Sequence, residues 1–262
     1  MKKILCVALF TALFSLSSLT SEAAMTLRLG NKQIENHHES VALRKFAELV
    51  EERTNGEIRI EIFYGEALGD SGMQIQNVIS GLQDFYADGY GFYEPYVKDF
   101  RAFDIPYLFR DNEAFRRFLL SDIVKEMEAE LLQKTGLRMI NTEKNWLRGP
   151  YRVLASRHPI RGIDDIRGLK LRMPPGAPTS IRAWSLLGAT VSPIPWSETY
   201  LALSQGMVDA VTSPVTDVYF QRFFEVTPFV TVTYEYSQQV AITMNERRFQ
   251  SLTPEQQAII VD

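Results

Sequence analysis

Three coordinating side chains stand in a row at His37, His38 and Glu39, the most metal-like group in this sequence. Adjacent histidines diverge on a strand or a helix and rarely share one ion, so no metal is expected there. Polar loop residues and ligand contacts are the remaining readings. Arg172 has a different character: it lies in an apolar run, residues 169–173, that stops at Pro174, Pro175 and Gly176. An arginine at the end of a parallel strand sits on the rim where open α/β sheets take their ligands, and its planar fork suits a carboxylate bidentately. The plainer reading is a rim arginine paired with Asp164 or Asp165. Arg148 beside Trp146, and Trp196 after Pro195, are candidates for pocket walls, although aromatic residues serve more often as core.

Signatures of catalysis and of nucleotide binding are missing. There is no G-x-S-x-G elbow, no G-x-x-x-x-G-K-[ST] phosphate loop and no H-E-x-x-H pair. Gly89 and Gly91 flank Tyr90 behind a strand-like run, but no third glycine follows where a dinucleotide site would need it. The expectation is a protein that binds without converting, and that needs no cofactor.

The elements that must position these residues can be read from periodicity. Ile58, Ile60 and Ile62 alternate with Arg59, Glu61 and Phe63, the pattern of a half-buried strand. Residues 26–29, 85–88 and 137–141 read as further strands, and residues 41–54, 73–80 and 122–134 as helices, with Asn112 and Ser121 as N-caps. The second half repeats the logic, with strands over 151–155, 169–173, 190–194 and 208–212 and helices over 179–187 and 198–204. Alternating strand and helix predicts largely parallel sheets with helical cover. Thr253, Pro254 and Gln256 make a capping box with Pro at the first helical position; the short remainder of that helix suggests a chain that stops inside a longer protein.

With 262 residues and 45% hydrophobic content, the chain can build two modest domains. Its formal charge is −4 with both signs interspersed, so neither nucleic acid nor anionic lipid is an expected partner. Lys2 and Lys3, the apolar run 4–16, and Ser21 with Ala23 make a signal peptide over residues 1–23. That run is shorter than the roughly 20 residues that span a bilayer, so no stable membrane insertion is expected after cleavage. Cys6, the only cysteine, would leave with the signal, which excludes disulfides and cysteine-ligated metals from the exported chain.

Several ordered motifs point further. Phe46-Ala-Glu-Leu-Val-Glu-Glu precedes Asn55-Gly56; Leu68-Gly69, Gly81 with Asp84, and Asp104-Ile-Pro-Tyr-Leu-Phe follow. Gly168-Leu-Lys-Leu-Arg, Leu187-Gly-Ala and Pro195-Trp-x-Glu-x-Tyr-x-Ala-Leu come next, then Gly206-x-Val-Asp and Phe223-x-Glu-Val. In this order, from about residue 26 to 262, the chain resembles the extracytoplasmic solute-binding subunits of the tripartite ATP-independent periplasmic (TRAP) transporters, the DctP family.

The resemblance implies two α/β domains of the type II periplasmic-binding-protein kind, with crossing strands, a connecting helix and a central cleft. Domain I would be 24–145 plus 237–262, and domain II 146–236. It implies a periplasmic, monomeric, non-catalytic receptor that hands a small carboxylate to TRAP membrane subunits. A ligand-sensing module is the alternative, and a periplasmic enzyme using Asp88 with His37 a more remote one. Arg172 matches the arginine that clamps the ligand carboxylate, and Arg148 is matched to a second, assisting arginine. Asp88 matches an acidic position that faces the cleft, and His37 a histidine frequent in the first loop. Where the family often carries a cleft asparagine this chain has Ser213, which implies a roomier site and a monocarboxylate in preference to succinate, malate or fumarate. Its apolar or aromatic body would rest on Tyr90, Trp146 or Trp196.

Overall fold

The computed structural model describes residues 24–261; the expected signal peptide and Cys6 lie outside the described residues. Ten strands form two five-stranded sheets. The first contains β1 (Met25–Asn31), β2 (Ile58–Phe63), β3 (Phe85–Gly89), β4 (Leu137–Met139) and, late in the chain, β10 (Val240–Asn245), in the order β2-β1-β3-β10-β4. The second contains β5 (Arg152–Ser156), β6 (Lys170–Met173), β7 (Thr190–Pro193), β8 (Ala210–Pro214) and β9 (Phe229–Val232), in the order β7-β6-β8-β5-β9.

Helices α1 (His38–Arg53), α2 (Ser71–Ser80), α3 (Asn112–Leu119) and α4 (Asp122–Thr135) accompany the first sheet in sequence. Helices α5 (Pro178–Leu186), α6 (Thr199–Ser204) and α7 (Val215–Phe220) accompany the second. The chain then returns to the first sheet and continues through α8 (Glu246–Gln250) and α9 (Pro254–Val261). The expected capping box is present at the start of α9, where Thr253 and Gln256 exchange backbone-to-side-chain bonds of 3.0 and 3.2 Å. Asp111, not Asn112, caps α3 by accepting from Ala114 N–H.

Side chains alternate across each sheet and feed two cores per sheet. In β3, Phe85 and Ala87 join one cluster while Tyr86 joins the other; in β5, Val153 and Ala155 point opposite to Leu154. A strand covered on both faces shows no hydrophobic alternation, which is why β3, β5, β8 and β10 are buried along their whole length. Val41 and Ile123 are exposed, so the buried stripes of α1 and α4 run through Leu43 with Val50 and through Val124, Met127 and Leu131 instead.

The expectation of largely parallel sheets needs correction. The pairs β1/β2, β1/β3, β6/β7 and β6/β8 are parallel, but β10 runs antiparallel between β3 and β4, and β5 antiparallel between β8 and β9. The reason is topological: β5 and β10 are the first strands after the chain crosses between sheets, and each enters its new sheet from the opposite side. The two crossing segments, residues 140–151 and 233–239, lie against each other. Leu147 and Gln239 form an antiparallel bridge, flanked by Arg148 N–H to Gln238 C=O (2.8 Å) and Val240 N–H to Trp146 C=O (2.9 Å). Gly149 follows at φ +69°, a left-handed conformation that side chains disfavour. Neither crossing is helical.

Candidate functional site

A narrow cleft runs between the two sheets at the ends of β6 and β8. Arg172, Trp196 and Ser213 line it, together with Lys32, Phe92, Asp104, Arg152, Thr212, Asp217 and Tyr236. Its free space is about 30 Å³, little more than one water. A ligand of several carbons therefore needs the walls to part.

Arg172 comes from β6, and the turn at Pro174 releases the chain immediately after it. Its Nε donates to the carbonyl of Ile194 at 2.8 Å and its guanidinium lies 5.1 Å from the centre of the Trp196 ring. Arg172 is buried yet has no carboxylate partner among the described residues; the pairing with Asp164 or Asp165 is not made, since Asp164 faces Arg167 and Asp165 caps Arg161 and Gly162. Burial pushes its pKa down to about 9, with the distant Glu66 and Asp88 only partly compensating. The cation is thus desolvated and unpaired, and its terminal N–H groups are free to donate to an anion.

Arg152, the first residue of β5, lines the cleft as well. Its Nε donates to Glu235 at 2.9 Å, Thr212 Oγ1 bonds the same carboxylate, and the guanidinium lies 4.5 Å from the centre of the Tyr236 ring. Beside it stands Asp104, buried, with a carboxylate that forms no ion pair among the described residues and has the Ser180 hydroxyl as its neighbouring donor. Burial raises its pKa to about 6; Arg152 pulls down while Glu94 and Glu235 push up. The carboxyl group packs against Gly91, where a Cβ would come within 2.3 Å of it.

Five of the sequence-derived candidates are elsewhere. Arg148 is fully enclosed and spends its fork on protein: Nε and one terminal nitrogen grip Glu39 at 2.7 and 2.8 Å, and the other reaches Asp88 at 2.8 Å. Asp88 also accepts from Lys32 (2.8 Å), Ser71 (2.8 Å) and Tyr86 (2.8 Å). Its burial opposes ionisation, but Lys32 and Arg148 outweigh this and hold its pKa well below the usual carboxylate range. His37 accepts Glu39 N–H through Nδ1, so Nε2 carries the proton and donates to Asp217 at 3.1 Å. Both ring nitrogens are therefore used, and His37 ties the first domain to α7. Tyr90 is turned into the aromatic core against Phe100 and Phe103, with its hydroxyl on Glu128 at 2.7 Å. Trp146 packs on the β1–β2 side of the first core. No group of His, Cys, Asp and Glu among the described residues is placed to hold a metal.

The cleft is bridged by contacts between the domains. Gln33 bonds both Trp196 Nε1 (3.2 Å) and Asp217 (3.2 Å), Glu94 accepts from Thr179, and Glu66 from Ser197. Sequence reasoning missed Arg152, Asp104 and Lys32. Asp104 did carry a signal, as an ionisable residue inside the aromatic-rich stretch 100–109.

Comparison with known proteins gives a consistent result. The family model of bacterial extracellular solute-binding proteins, family 7 (DctP), matches residues 29–262. The 2,3-diketo-L-gulonate-binding periplasmic protein YiaO of Escherichia coli is 31% identical over 254 residues, 97% of this chain and 76% of that protein. The sialic acid-binding periplasmic protein SiaP of Vibrio cholerae is 29% identical over 250 residues, 95% of this chain and 76% of its own length. A TRAP periplasmic solute-binding protein from Roseobacter denitrificans, solved with bound L-galactonate, superposes with a TM-score of 0.83 at 27% identity, over 90% of this chain and 77% of that one. Another, from Ochrobacterium anthropi with bound L-fuconate, gives 0.84 at 26% identity over 91% and 77%.

Proposed function

The chain belongs to the DctP family of bacterial extracellular solute-binding proteins, and from that premise we propose that it is the periplasmic receptor of a TRAP transporter for a small monocarboxylate of the sugar-acid kind. The observation that carries the reading is Arg172: a buried, unpaired guanidinium on the cleft wall, which a ligand carboxylate would neutralise. Relatives named or solved with 2,3-diketo-L-gulonate, L-galactonate and L-fuconate all carry one carboxylate on a hydroxylated chain. Of the three aromatic supports expected for the ligand body, only Trp196 lines the cleft. Ser213, between Thr212 and Pro214 on the cleft wall, has a shorter side chain than an asparagine and turns its hydroxyl to Asp217, 3.5 Å away.

Residues 24–145 with 237–262, and 146–236, act in this reading as the two jaws. Ligand binds between them, and its greater affinity for the closed form drives closure. The membrane subunits then recognise that form, and no covalent step is required. No described helix is long and apolar enough to cross a membrane.

Mass spectrometry of the denatured, freshly purified protein is expected to reveal a bound sugar acid, recovered unchanged after incubation with the protein. In a thermal-shift panel, sugar monocarboxylates should raise the melting temperature and make the particle more compact by small-angle scattering. Stabilisation by succinate or malate alone would overturn the ligand class. Identical scattering with and without a stabilising acid would overturn closure.

A further inference from the structure

We propose, resting on the receptor reading above, that Asp104 is the residue that sets specificity in this cleft: its carboxylate accepts hydroxyl hydrogens from the body of the ligand and turns away ligands that bring a second carboxylate up to it. The charges around the cleft single it out. Lys32 is paired with Asp88 and Arg152 with Glu235, and Asp217 accepts from His37. Asp217 has a neutral imidazole for a partner, but Gln33 and Ser213 bond it as well; Arg172 and Asp104 are left, a cation and an anion, both buried, neither in an ion pair among the described residues, and Asp104 with only the Ser180 hydroxyl as a donor. A ligand carboxylate on Arg172 neutralises the first and does nothing for the second. Ser180 can supply Asp104 with a single hydrogen, so its remaining lone pairs must find other donors, because a buried acceptor without them bears the cost of its lost hydration.

The ligand's hydroxyls are the matching donors. A ligand ammonium would pair with Asp104 as well, but the charge of Arg152 already acts on that carboxylate without bonding it, so a second cation would meet like charge. A second carboxylate would meet Asp104 itself, with Glu235 and Glu94 behind it. At neutral pH Asp104 is mostly ionised even with its pKa at about 6, so a diacid has to enter with a proton or displace the side chain. Gly91 leaves the carboxyl no slack on its other side, since its Cα lies directly against the group.

Calorimetric titration of the wild-type protein and of Asp104→Asn with matched acids tests this. The pairs are L-galactonate with galactarate and D-gluconate with D-glucarate, each differing only in a terminal carboxylate for a hydroxymethyl group. Wild type should prefer the monoacid of the better-binding pair by at least about tenfold at pH 7.5, as expected when like charges are brought together. The preference should narrow at pH 5, where Asp104 holds a proton and the diacid remains ionised. In Asp104→Asn it should shrink by about tenfold at pH 7.5 and no longer depend on pH. An unchanged preference in the variant, or a wild-type protein that takes both members of a pair equally, would overturn the assignment while leaving the receptor reading standing. Failure of wild type to bind any of the four acids would instead overturn the sugar-acid reading on which it rests.

Discussion

Arg172→Ala is expected to abolish ligand capture, weakening binding by about 2 to 5 kcal/mol, or roughly 30-fold to several thousand-fold. Its side chain is the one desolvated cation on the cleft wall without a counter-charge among the described residues, so a bound carboxylate has no substitute partner. Lys at this position should rescue poorly, because an ammonium cannot make two parallel hydrogen bonds and would lose the guanidinium's stacking on Trp196. The unliganded protein should respond in the opposite direction. A basic group whose pKa is lowered by folding costs stability at every pH where it is charged in the unfolded chain, and that cost covers the neutral range. Arg172→Met, which keeps the volume of the stem, should therefore melt no lower than wild type and bind no ligand. Calorimetry and thermal denaturation on the same samples check both halves. Undiminished affinity in the Ala variant would remove Arg172 from the site, and a large loss of stability in the Met variant would make its role structural.

Arg148→Ala should give the converse result, a large loss of stability. Removing one member of a buried ion network strands the others, at about 3 to 5 kcal/mol, and here Glu39 and Asp88 would both lose a bonded guanidinium. For a chain of this size that corresponds to a fall of roughly 10 °C in the melting midpoint. The pH dependence should change too. A carboxylate whose pKa is depressed on folding contributes stability above the ordinary carboxylate pKa, and that contribution disappears as the pH falls through the folded value. Asp88 owes part of its depression to Arg148, so the variant should lose less stability than wild type on acidification below about pH 4. Urea midpoints measured from pH 7 to pH 3 provide the comparison, and a midpoint within a degree or two of wild type at neutral pH would contradict the stranded-charge argument.

These two arginines also show how far the site could be read from sequence. The place of Arg172 at the end of β6 was legible because a strand that runs into two prolines has a known end, whereas its assignment to a ligand carboxylate came only from the resemblance, the residues alone favouring a pairing with Asp164 or Asp165 that is not made. Arg148 was not, because it and Arg152 stand four residues apart at the same domain boundary, and only the pairing of the crossing segments separates their directions. The bond from Arg148 N–H to Gln238 and the bridge beside it leave the Arg148 side chain with the first domain, while Arg152 opens β5 toward the cleft. Tyr90 was misread for a related reason: the two glycines around it resemble a binding turn, but the chain there coils into a short helical turn, Tyr90–Tyr93, that buries the ring. Most strands were found within a residue or two, since their hydrophobic runs end at glycine or proline. Their directions were not, because β5 and β10 inherit theirs from a crossing whose partners are about ninety residues apart, as Leu147 and Gln239 are.

The same crossing places ligand recognition on the axle of the molecule. Arg152 follows the outgoing segment within a few residues of Gly149, and Tyr236 and Gln238 belong to the returning one, so part of the cleft wall is made of the chain that must twist when the jaws move. In the proposed closure a solute pressing on those residues would act where the lever arm is shortest, and a small displacement there would be magnified at the outer contacts, Glu66 with Ser197 and Glu94 with Thr179. A side chain at Gly149 would jam this pivot, since a Cβ would lie 2.9 Å from Pro214 and from Thr216. The tips of the jaws then report, greatly magnified, whether the solute at the pivot has the right shape.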